Sequence, residues 1–205
     1  MAEKCGFVTL LGAPNAGKST LVNYMVGAKV SIVSPKVQTT RSRVRGIVVK
    51  GDCEIVLIDT PGIFKPKRRL DRAMVAAAWQ EAEYSDLRLL LVDAKRGIDD
   101  DTRSIMDSLV KNKQKCVLVL NKTDLVKPAK LVELSAELNK SALFSETFML
   151  SAATGEGVDT LEEYLLSRMP EGPFMFPADQ VSDLPDKLLA AEITREKLYM
   201  NLNQE

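Results

Sequence analysis

The sequence contains no histidine among its 205 residues. Histidine is the usual general base of hydrolases and the commonest zinc ligand, so its absence excludes histidine-dependent triads and most zinc sites. Only three cysteines are present, and no two of them form a C-x-x-C pair. This pattern favours small buried side chains in a reducing compartment. Any chemistry in this chain must therefore rest on positioning and on bound cations.

The sequence also lacks a net charge and a long apolar run. Its 28 basic and 28 acidic residues cancel, so the overall charge does not indicate a nucleic acid or a membrane as partner. No apolar run approaches the roughly 20 residues that span a bilayer, and no signal-peptide core precedes the first apolar segment. The composition is that of a soluble globular protein with room for one sizeable domain and a short appendage. We expect a cytosolic protein.

The clearest motif is G-x-x-x-x-G-K-S, which follows an apolar run at residues 7–11 and precedes a helix-like segment at 20–26. Backbone N–H groups of such a glycine-rich turn, together with a helix N-terminus, form a nest for phosphate oxygens. Lys18 can reach the β- and γ-phosphates, and the Ser19 hydroxyl can bind Mg²⁺. The motif predicts a nucleoside triphosphate site that comprises Gly12, Ala13, Pro14, Asn15, Ala16, Gly17, Lys18, Ser19 and the adjoining Thr20.

Two polar, basic segments follow the phosphate loop. Residues 30–43 include the adjacent Thr39 and Thr40, and residues 63–69 carry basic side chains around a proline. Such segments are typical of nucleotide-dependent switches, in which one threonine hydroxyl completes the Mg²⁺ shell when a γ-phosphate is present. The residue types do not distinguish Thr39 from Thr40 as the ligand. The alternative is that these segments are solvated basic loops.

An acidic residue ends the apolar strand at residues 54–59 and begins the motif D-T-P-G. A carboxylate at this place can hold Mg²⁺ through a water, and the glycine lets a backbone N–H approach the γ-phosphate. The motif adds Asp59, Thr60, Pro61 and Gly62 to the predicted nucleotide site, with Ser19, Thr40 and Asp59 as metal ligands.

The motif N-K-T-D, directly after the apolar strand at residues 116–120, indicates the base. The Asp124 carboxylate can accept hydrogen bonds from guanine N1–H and N2–H₂, a pair that adenine does not offer, so ATP would leave this acid unpaired. Asn121 would tie loops together, and the Lys122 stem would pack over the base. After the last strand, a backbone N–H is predicted to contact guanine O6; the donor of first choice is that of Ala152, within the group Ser151, Ala152 and Ala153.

Apolar strands alternate with helical segments along residues 1–169. The predicted strands are 6–11, 44–50, 54–59, 87–93, 116–120 and 147–150, and the predicted helices are 20–26, 70–84, 99–110, 127–143 and 159–169. The pattern predicts an α/β fold of the P-loop NTPase class, with a mostly parallel six-stranded sheet and helices on both faces. Prolines punctuate residues 170–186, which we interpret as an extended linker, and residues 187–203 are again helix-like.

With these motifs in this order, the chain resembles the Era family of regulatory GTPases. Residues 12–19, 38–41, 59–62, 121–124 and 151–152 carry the resemblance, which covers essentially the whole chain. It implies a Ras-like G domain at residues 1–169 that binds GTP and GDP with Mg²⁺ and hydrolyses GTP slowly. Residues 191–198 resemble the start of that family's C-terminal RNA-binding KH domain, so we expect residues 187–205 to begin a truncated KH-like domain.

The resemblance also implies a role for the full-length protein. Era proteins bind small-subunit ribosomal RNA through the KH domain, assist assembly of the small ribosomal subunit, and occur in the cytoplasm and at the inner face of the membrane. No G-x-x-G loop or complete KH domain follows residue 190 here. RNA binding is therefore not expected of these residues alone, and we expect a monomer that binds guanine nucleotide.

The predicted mechanism is in-line attack of water on the γ-phosphate, with catalysis by positioning and charge stabilisation. The glutamine that orients water after D-x-x-G in Ras-like enzymes is absent, because Ile63 stands in its place. In related GTPases an asparagine at the position of Asn15 helps to bind K⁺, which replaces an arginine finger; the alternative is an amide that only braces the loop. Arg41 and Arg43 are the other candidates for an arginine finger. The predicted catalytic residues are Lys18, Asn15 and Thr40.

Two other functions remain compatible with the sequence. One is a nucleotide-gated binding module with negligible hydrolysis, which the basic switch segments and the missing glutamine favour. The other is an ATP-using kinase or ATPase of the P-loop class, against which Asp124 argues. Single-turnover cleavage of GTP tests the first, and competition between ATP and GTP tests the second.

Overall fold

A computed structural model describes residues 2–34, 40, 43–66 and 68–201. The strands are β1 (Lys4–Leu11), β2 (Val44–Lys50), β3 (Cys53–Asp59), β4 (Leu87–Asp93), β5 (Cys116–Asn121) and β6 (Phe144–Leu150). The helices are α1 (Lys18–Val26), α2 (Arg69–Tyr84), α3 (Asp100–Lys111), α4 (Pro128–Asn139), α5 (Val158–Arg168) and α6 (Asp186–Asn201), and a 3₁₀ turn spans Thr123–Leu125.

These strands form one sheet in the order β2-β3-β1-β4-β5-β6. The edge strand β2 is antiparallel to β3, and the other neighbours are parallel. The predicted α/β fold and its mostly parallel six-stranded sheet are confirmed.

Side chains of the central strands alternate between two apolar cores. In β4, Leu89 and Leu91 belong to a cluster with α1 and α5, whereas Leu90 and Val92 belong to a cluster with α2, α3 and α4. Because helices cover both faces, the parallel strands are near-continuous apolar runs without polar alternation. The loops that carry the motifs begin where β1, β3 and β5 end, at one edge of this sheet.

The bounds differ most from the prediction around β6. Helix α4 ends at Asn139, four residues earlier than predicted, and β6 begins at Phe144, three residues earlier. Between them Ala142 has a φ of 51°, a left-handed conformation that stops a helix. The 3₁₀ turn that carries Asp124 was not predicted, because a single turn has no apolar periodicity.

The segment interpreted as an extended linker lies outside the helices and strands and is tied to the sheet. We call residues 170–185 the strap. At one end the Cys5 N–H donates to the Pro170 carbonyl at 3.0 Å, and further along the Ile47 N–H donates to the Val181 carbonyl at 3.0 Å. Arg45 forms an ion pair with Asp183 at 3.4 Å. The strap therefore begins at β1 and reaches the β2 edge at residues 181–183, while the domain bounds at residues 169 and 186 stay predictions.

A buried carboxylate holds the middle of the strap. Glu54, at 0% exposure, accepts hydrogen bonds from the N–H of Met175 at 2.8 Å and of Phe176 at 3.2 Å. The Cys5 thiol donates to the same carboxylate at 3.0 Å. Burial, followed by this bond to Glu54, raises the pKa of Cys5 to about 12. The thiol is therefore an un-ionised hydrogen-bond donor at neutral pH.

The strap delivers α6 to the segment that follows α1. Glu196 on α6 is buried, and its carboxylate accepts hydrogen bonds from Lys29 and, at 2.8 Å, from the Val33 N–H. Burial alone would raise the pKa of Glu196, but the bonds from Lys29 and Val33 lower it. Helix α6 thus lies against residues 29–33. In the part of the chain that the structure describes, no helix has the length and apolar character of a membrane span.

Candidate functional site

The predicted phosphate loop lies at the carboxyl end of β1, leads into α1, and borders a cleft of about 400 Å³. A cleft of this size can hold a small organic ligand. Segments far apart in the sequence meet here. The cleft is lined by Pro14, Asn15, Gly17, Lys18, Ser19, Thr20, Ile32, Val33, Ser34, Thr40, Thr60, Gly62, Lys122 and, from α6, Met200.

The two glycines that bound the phosphate loop have backbone conformations that other residues avoid. Gly12 has a φ of 152° and Gly17 a φ of 99°. A Cβ at Gly17 would lie 2.1 Å from the Asn121 Nδ2, and one at Gly12 would lie 2.5 Å from the Leu91 carbonyl oxygen. Asn15 has a φ of 63°, which asparagine tolerates. The loop therefore requires its glycines for both conformation and space.

Lys18 is buried at the base of the loop. Its Nζ donates to the carbonyl oxygens of Gly12 and Ala13, each at 3.1 Å. Burial lowers the pKa of Lys18 to about 8, and the charge of Asp59 partly opposes this shift. The loop carbonyls thus hold a desolvated amine that an anionic phosphate would stabilise in its charged form.

Four oxygen-bearing side chains converge at the predicted metal site. The hydroxyls of Ser19 and Ser31 each donate to Asp59 Oδ2 at 2.6 Å, and the Thr40 hydroxyl lies 3.3 Å from the same atom. Ser19 Oγ and Thr40 Oγ1 are 3.2 Å apart. Burial raises the pKa of Asp59, and the hydrogen bonds from Ser19 and Ser31 oppose that shift.

The structure brings the three predicted metal ligands together and places Thr40 beside Ser19 and Asp59. Thr39 lies outside the described residues. Asp59 Oδ1 is buried without a hydrogen-bond partner among residues 2–34, 40, 43–66 and 68–201. An orphaned carboxylate oxygen beside two hydroxyls is a set of hard oxygen donors that suits Mg²⁺. The residues present therefore fit the predicted ion.

Ser31 is the residue of this cluster that the sequence did not reveal. It lies 28 positions before Asp59, within a segment interpreted as part of a polar loop. A serine in such a segment carries no pattern of its own. The only available signal was its place between the phosphate loop and the switch threonines.

The D-T-P-G segment packs directly on the phosphate loop. The Thr60 hydroxyl donates to the Leu10 carbonyl at 2.6 Å, so this side chain anchors β3 to β1. A Cβ on Gly62 would lie 2.8 Å from the Pro14 Cα. The buried Ile63 donates its N–H to the Gly12 carbonyl at 3.0 Å. This packing makes Gly62 necessary for close approach of the two loops.

Asn121 ties three loops together, as predicted. Its Nδ2 donates to the Ala16 carbonyl at 2.9 Å, and its Oδ1 accepts from the N–H of Lys122 at 2.8 Å and of Ala152 at 2.9 Å. The side chain is buried. Each of its bonds reaches a backbone group, so Asn121 links the phosphate loop to the loops after β5 and β6.

Lys122 crosses above the phosphate loop. Its Nζ donates to Asp93 Oδ2 at 2.6 Å and to the Asn15 carbonyl at 2.8 Å. This places the aliphatic stem beside the cleft, where it was predicted to cover a base. Asp124, in the 3₁₀ turn that follows, is exposed.

The three residues predicted to lie near guanine O6 have different surroundings. The Ala152 N–H donates to Asn121 Oδ1 at 2.9 Å. The Ser151 N–H donates to the Glu156 carbonyl at 2.9 Å. Ala153 is the exposed member of the trio. The contact of Ala152 with guanine O6 stays a prediction.

The structure describes one of the two arginine-finger candidates, Arg43. Arg43 forms an ion pair with Glu81 on α2. Arg41 lies outside the described residues. The role of either residue as an arginine finger stays a prediction.

Comparison with known proteins identifies relatives over the whole chain. Residues 7–122 match the family of 50S ribosome-binding GTPases. GTPase Era of Bradyrhizobium sp. (strain ORS 278) is 56% identical over 204 residues, which are 100% of this chain and 66% of that protein. GTPase Era of Mesorhizobium japonicum is 57% identical over 204 residues with the same shares. The chain thus spans about two thirds of the length of these relatives.

Two solved structures are similar throughout the fold. One is Era in complex with MgGDPNP and nucleotides 1506–1542 of 16S ribosomal RNA, with a TM-score of 0.92, 41% identity, and coverage of 99% of this chain and 69% of that one. The other is an Aquifex aeolicus Era variant bound to GDP·AlF₄⁻, with a TM-score of 0.91, 39% identity, and coverage of 98% and 69%. The chain belongs to the 50S ribosome-binding GTPase family and, within it, to the Era GTPases.

Proposed function

We propose that this chain binds GTP with Mg²⁺ and hydrolyses its γ-phosphate bond as a slow regulatory switch. The observation that carries the proposal is the convergence of Ser19, Thr40 and Asp59 within 3.3 Å, beside a phosphate loop whose buried lysine lacks a carboxylate partner at hydrogen-bond distance among the described residues. The relatives support it, because one Era was solved with MgGDPNP and another with GDP·AlF₄⁻.

In the proposed reaction, water attacks the γ-phosphate in line with the departing β-phosphate oxygen. Lys18 and the loop amides would hold the charge that develops on the phosphate oxygens. Ser19, Thr40 and Asp59 would hold Mg²⁺, which would supply positive charge to stabilise the developing negative charge. The chain contributes mainly position, since Lys18 is held by loop carbonyls and Ser19 and Thr40 by contacts with Asp59.

The residue after D-T-P-G does not orient water here. Ile63 is apolar and buried, and its N–H is bonded to the Gly12 carbonyl. We propose that Asn15 assists instead by binding K⁺ beside the phosphates. Its place in the cleft and its left-handed backbone, with a φ of 63°, support this role.

Guanine specificity is assigned to Asp124, with the Lys122 stem over the base. An aspartate that pairs with N1–H and N2–H₂ would be left unpaired by adenine, which penalises ATP. An Asp124→Ala variant should lose most of the preference for GTP over ATP in a competition assay, by roughly 100-fold. Equal competition by the two nucleotides in the unchanged chain would instead favour an ATP-using enzyme.

The full-length protein is proposed to act in assembly of the small ribosomal subunit, with ribosomal RNA as partner. Support comes from the Era structure that includes a 16S ribosomal RNA segment. RNA contact is assigned to a KH-like domain that begins near residue 187, not to the G domain. A monomer in the cytoplasm, with peripheral association at the inner membrane face, stays a prediction from the family resemblance.

The test is GTP hydrolysis by the purified chain with Mg²⁺, in K⁺ buffer and in matched Na⁺ buffer. We expect faster turnover in K⁺ and loss of this difference in Asn15→Ala. Asn139→Ala, which changes an exposed asparagine on α4, is the matched control and should keep the difference. Equal, near-zero rates with GTP still bound would favour a binding switch without hydrolysis, the function that the missing glutamine makes the second candidate.

A further inference from the structure

Ser31 belongs to the group of oxygen-bearing side chains around Asp59, although no sequence motif includes it. It lies between α1 and Thr40, is 3% exposed, and donates its hydroxyl hydrogen to Asp59 Oδ2 at 2.6 Å. This contact is as short as that of Ser19, which is a predicted Mg²⁺ ligand. Ser31 therefore contacts the metal-binding carboxylate without belonging to the phosphate loop or to the switch threonines.

The backbone of Ser31 is fixed from an independent direction. Asn23, in the middle of α1, accepts the N–H of Val30 at 3.0 Å and of Ser31 at 2.9 Å, and its Nδ2 donates to the Ser31 carbonyl at 2.7 Å. Helix α1 begins at Lys18 and so also carries Ser19. The hydroxyl of Ser31 is thus held in register with the phosphate loop through one helix.

The two carboxylate oxygens of Asp59 have unequal surroundings. Three hydroxyls converge on Oδ2, whereas Oδ1 is buried with no hydrogen-bond partner in the described ranges 2–34, 40, 43–66 and 68–201. A donor that fixes Oδ2 also fixes the direction in which Oδ1 points. Residues that hydrogen-bond to a metal-binding side chain orient that side chain and tune the affinity of the site for the metal.

We propose that Ser31, held by Asn23, is a positioning residue for Asp59 that sets the Mg²⁺ affinity of the site and thereby the lifetime of bound guanine nucleotide. The proposal rests on the proposed function, since it assumes Mg²⁺ and nucleotide at this cluster. A solely structural role for Ser31, namely satisfaction of a buried hydroxyl, would alter stability without altering the Mg²⁺ requirement.

The experiment measures release of a fluorescent GDP analogue from the full chain as the Mg²⁺ concentration is raised from an EDTA baseline. In Ser31→Ala we expect the Mg²⁺ concentration for half-maximal slowing of release to rise about 10-fold. The release rate in EDTA should stay within about twofold of that of the unchanged chain, because no nucleotide contact is removed. Ser167→Ala, which deletes a hydroxyl bonded to the Tyr164 carbonyl on α5, is the matched control and should leave the titration unchanged.

A second variant keeps the proposal testable if Ser31→Ala fails to fold. Asn23→Asp keeps the acceptor for the two N–H groups but removes the donor to the Ser31 carbonyl, so it should shift the Mg²⁺ titration in the same direction by a smaller factor. An unshifted titration in both folded variants would overturn the role of Ser31 while leaving the proposed function intact. Failure of the unchanged chain to bind GDP, or to respond to Mg²⁺, would overturn the proposed function and this proposal with it.

Discussion

The two ends of the proposed nucleotide site, the base end around Asn121 and the metal end around Asp59, differ in how their polar side chains are hydrogen-bonded. At the base end, Asn121 uses both atoms of its amide on backbone groups of three separate loops, all between 2.8 and 2.9 Å. At the metal end, hydroxyls from three segments converge on one oxygen of Asp59, and the other oxygen has no partner among the described residues. The amide of Asn121 is thus satisfied by protein groups, whereas one oxygen of Asp59 is left for the proposed Mg²⁺.

From this difference we expect the base end to contribute mainly to the stability of the fold and the metal end mainly to its response to Mg²⁺. Breaking the base end should damage the fold whether or not Mg²⁺ is present, because it orphans buried backbone groups. Breaking the metal end should leave the fold largely intact and change how the site responds to the ion.

The largest effect is expected from Asn121→Ala. The change leaves the Ala16 carbonyl and the N–H groups of Lys122 and Ala152 unpaired, and each orphaned buried group costs about 1–3 kcal/mol. The free energy of unfolding should fall by about 3 kcal/mol. Nucleotide affinity should fall equally in Mg²⁺ and in EDTA. Chemical denaturation measures the first quantity and titration calorimetry the second, with exposed Asn139→Ala as control; a loss confined to Mg²⁺ buffer would contradict the comparison.

Asp59→Asn should show the opposite profile. The amide oxygen can still accept hydroxyl hydrogens, so unfolding should change less than in Asn121→Ala. Loss of the charged ligand should raise the Mg²⁺ concentration that slows GDP release by about 100-fold. Stopped-flow release of a fluorescent GDP analogue measures this, and Asp107→Asn, on the exposed face of α3, is the matched control. A variant that unfolds as readily as Asn121→Ala would show that the metal end also holds the fold.

Glu196→Gln gives a smaller effect at the boundary of the metal end. The buried carboxylate accepts hydrogen bonds from Lys29 and from the Val33 N–H. A buried hydrogen bond to a charged group contributes about 1.5–3 kcal/mol to stability. Lys29 is 44% exposed, so solvent screening reduces the expected loss of unfolding free energy to about 1 kcal/mol.

The pH dependence of that variant has a defined sign. The folded state lowers the pKa of Glu196 from its ordinary value of 4.5, so the carboxylate stabilises the fold above pH 4.5 and this contribution is lost as the pH falls through the lowered pKa. Unfolding curves of the two proteins should therefore differ at pH 7 and converge in acid. A constant difference across this range would exclude the charge of Glu196 as the cause.

The smallest effect is expected at the strap, which provides a reference away from both ends of the site. Because the pKa of Cys5 is about 12 rather than 9, its thiolate fraction stays far below that of an ordinary thiol, so alkylation in the folded chain should be slow and should not level off above pH 9. The raised pKa also stabilises the fold at neutral pH, and this contribution is lost as the pH rises towards 12. Nucleotide and Mg²⁺ should leave the rate unchanged.

Residue-resolved mass spectrometry can follow this alkylation. In Glu54→Ala the acceptor for Cys5, Met175 and Phe176 is gone, so the strap should loosen and the alkylation rate should rise about 10-fold, in proportion to the open population. The denatured chain is the control and should show the pH dependence of an ordinary thiol. Alkylation that responds to nucleotide would show that the strap is coupled to the site.

The sequence predicted residues that belong to short motifs and missed residues that belong to none. Lys18, Asp59 and Asn121 could be placed because each follows an apolar strand, and the ends of parallel strands meet at one edge of the sheet. Ser31 and Glu196 could not be placed, because neither belongs to a recognisable motif and their contacts follow no periodicity. The bond from the Ala152 N–H to Asn121 Oδ1 could not be predicted either, because the motif indicates the loop but not the partner of each backbone donor.

The prolines of the strap have a consequence for solubility. The edge strand β2 would otherwise present unpaired N–H and C=O groups, a template to which a strand of another molecule can add. The strap pairs with this edge through Gly46 and Ser182 and through the Ile47 N–H. Prolines on either side of this paired stretch, such as Pro177 and Pro185, have no N–H to donate to a further strand. We therefore expect the strap to hinder the addition of a foreign strand at this part of the β2 edge.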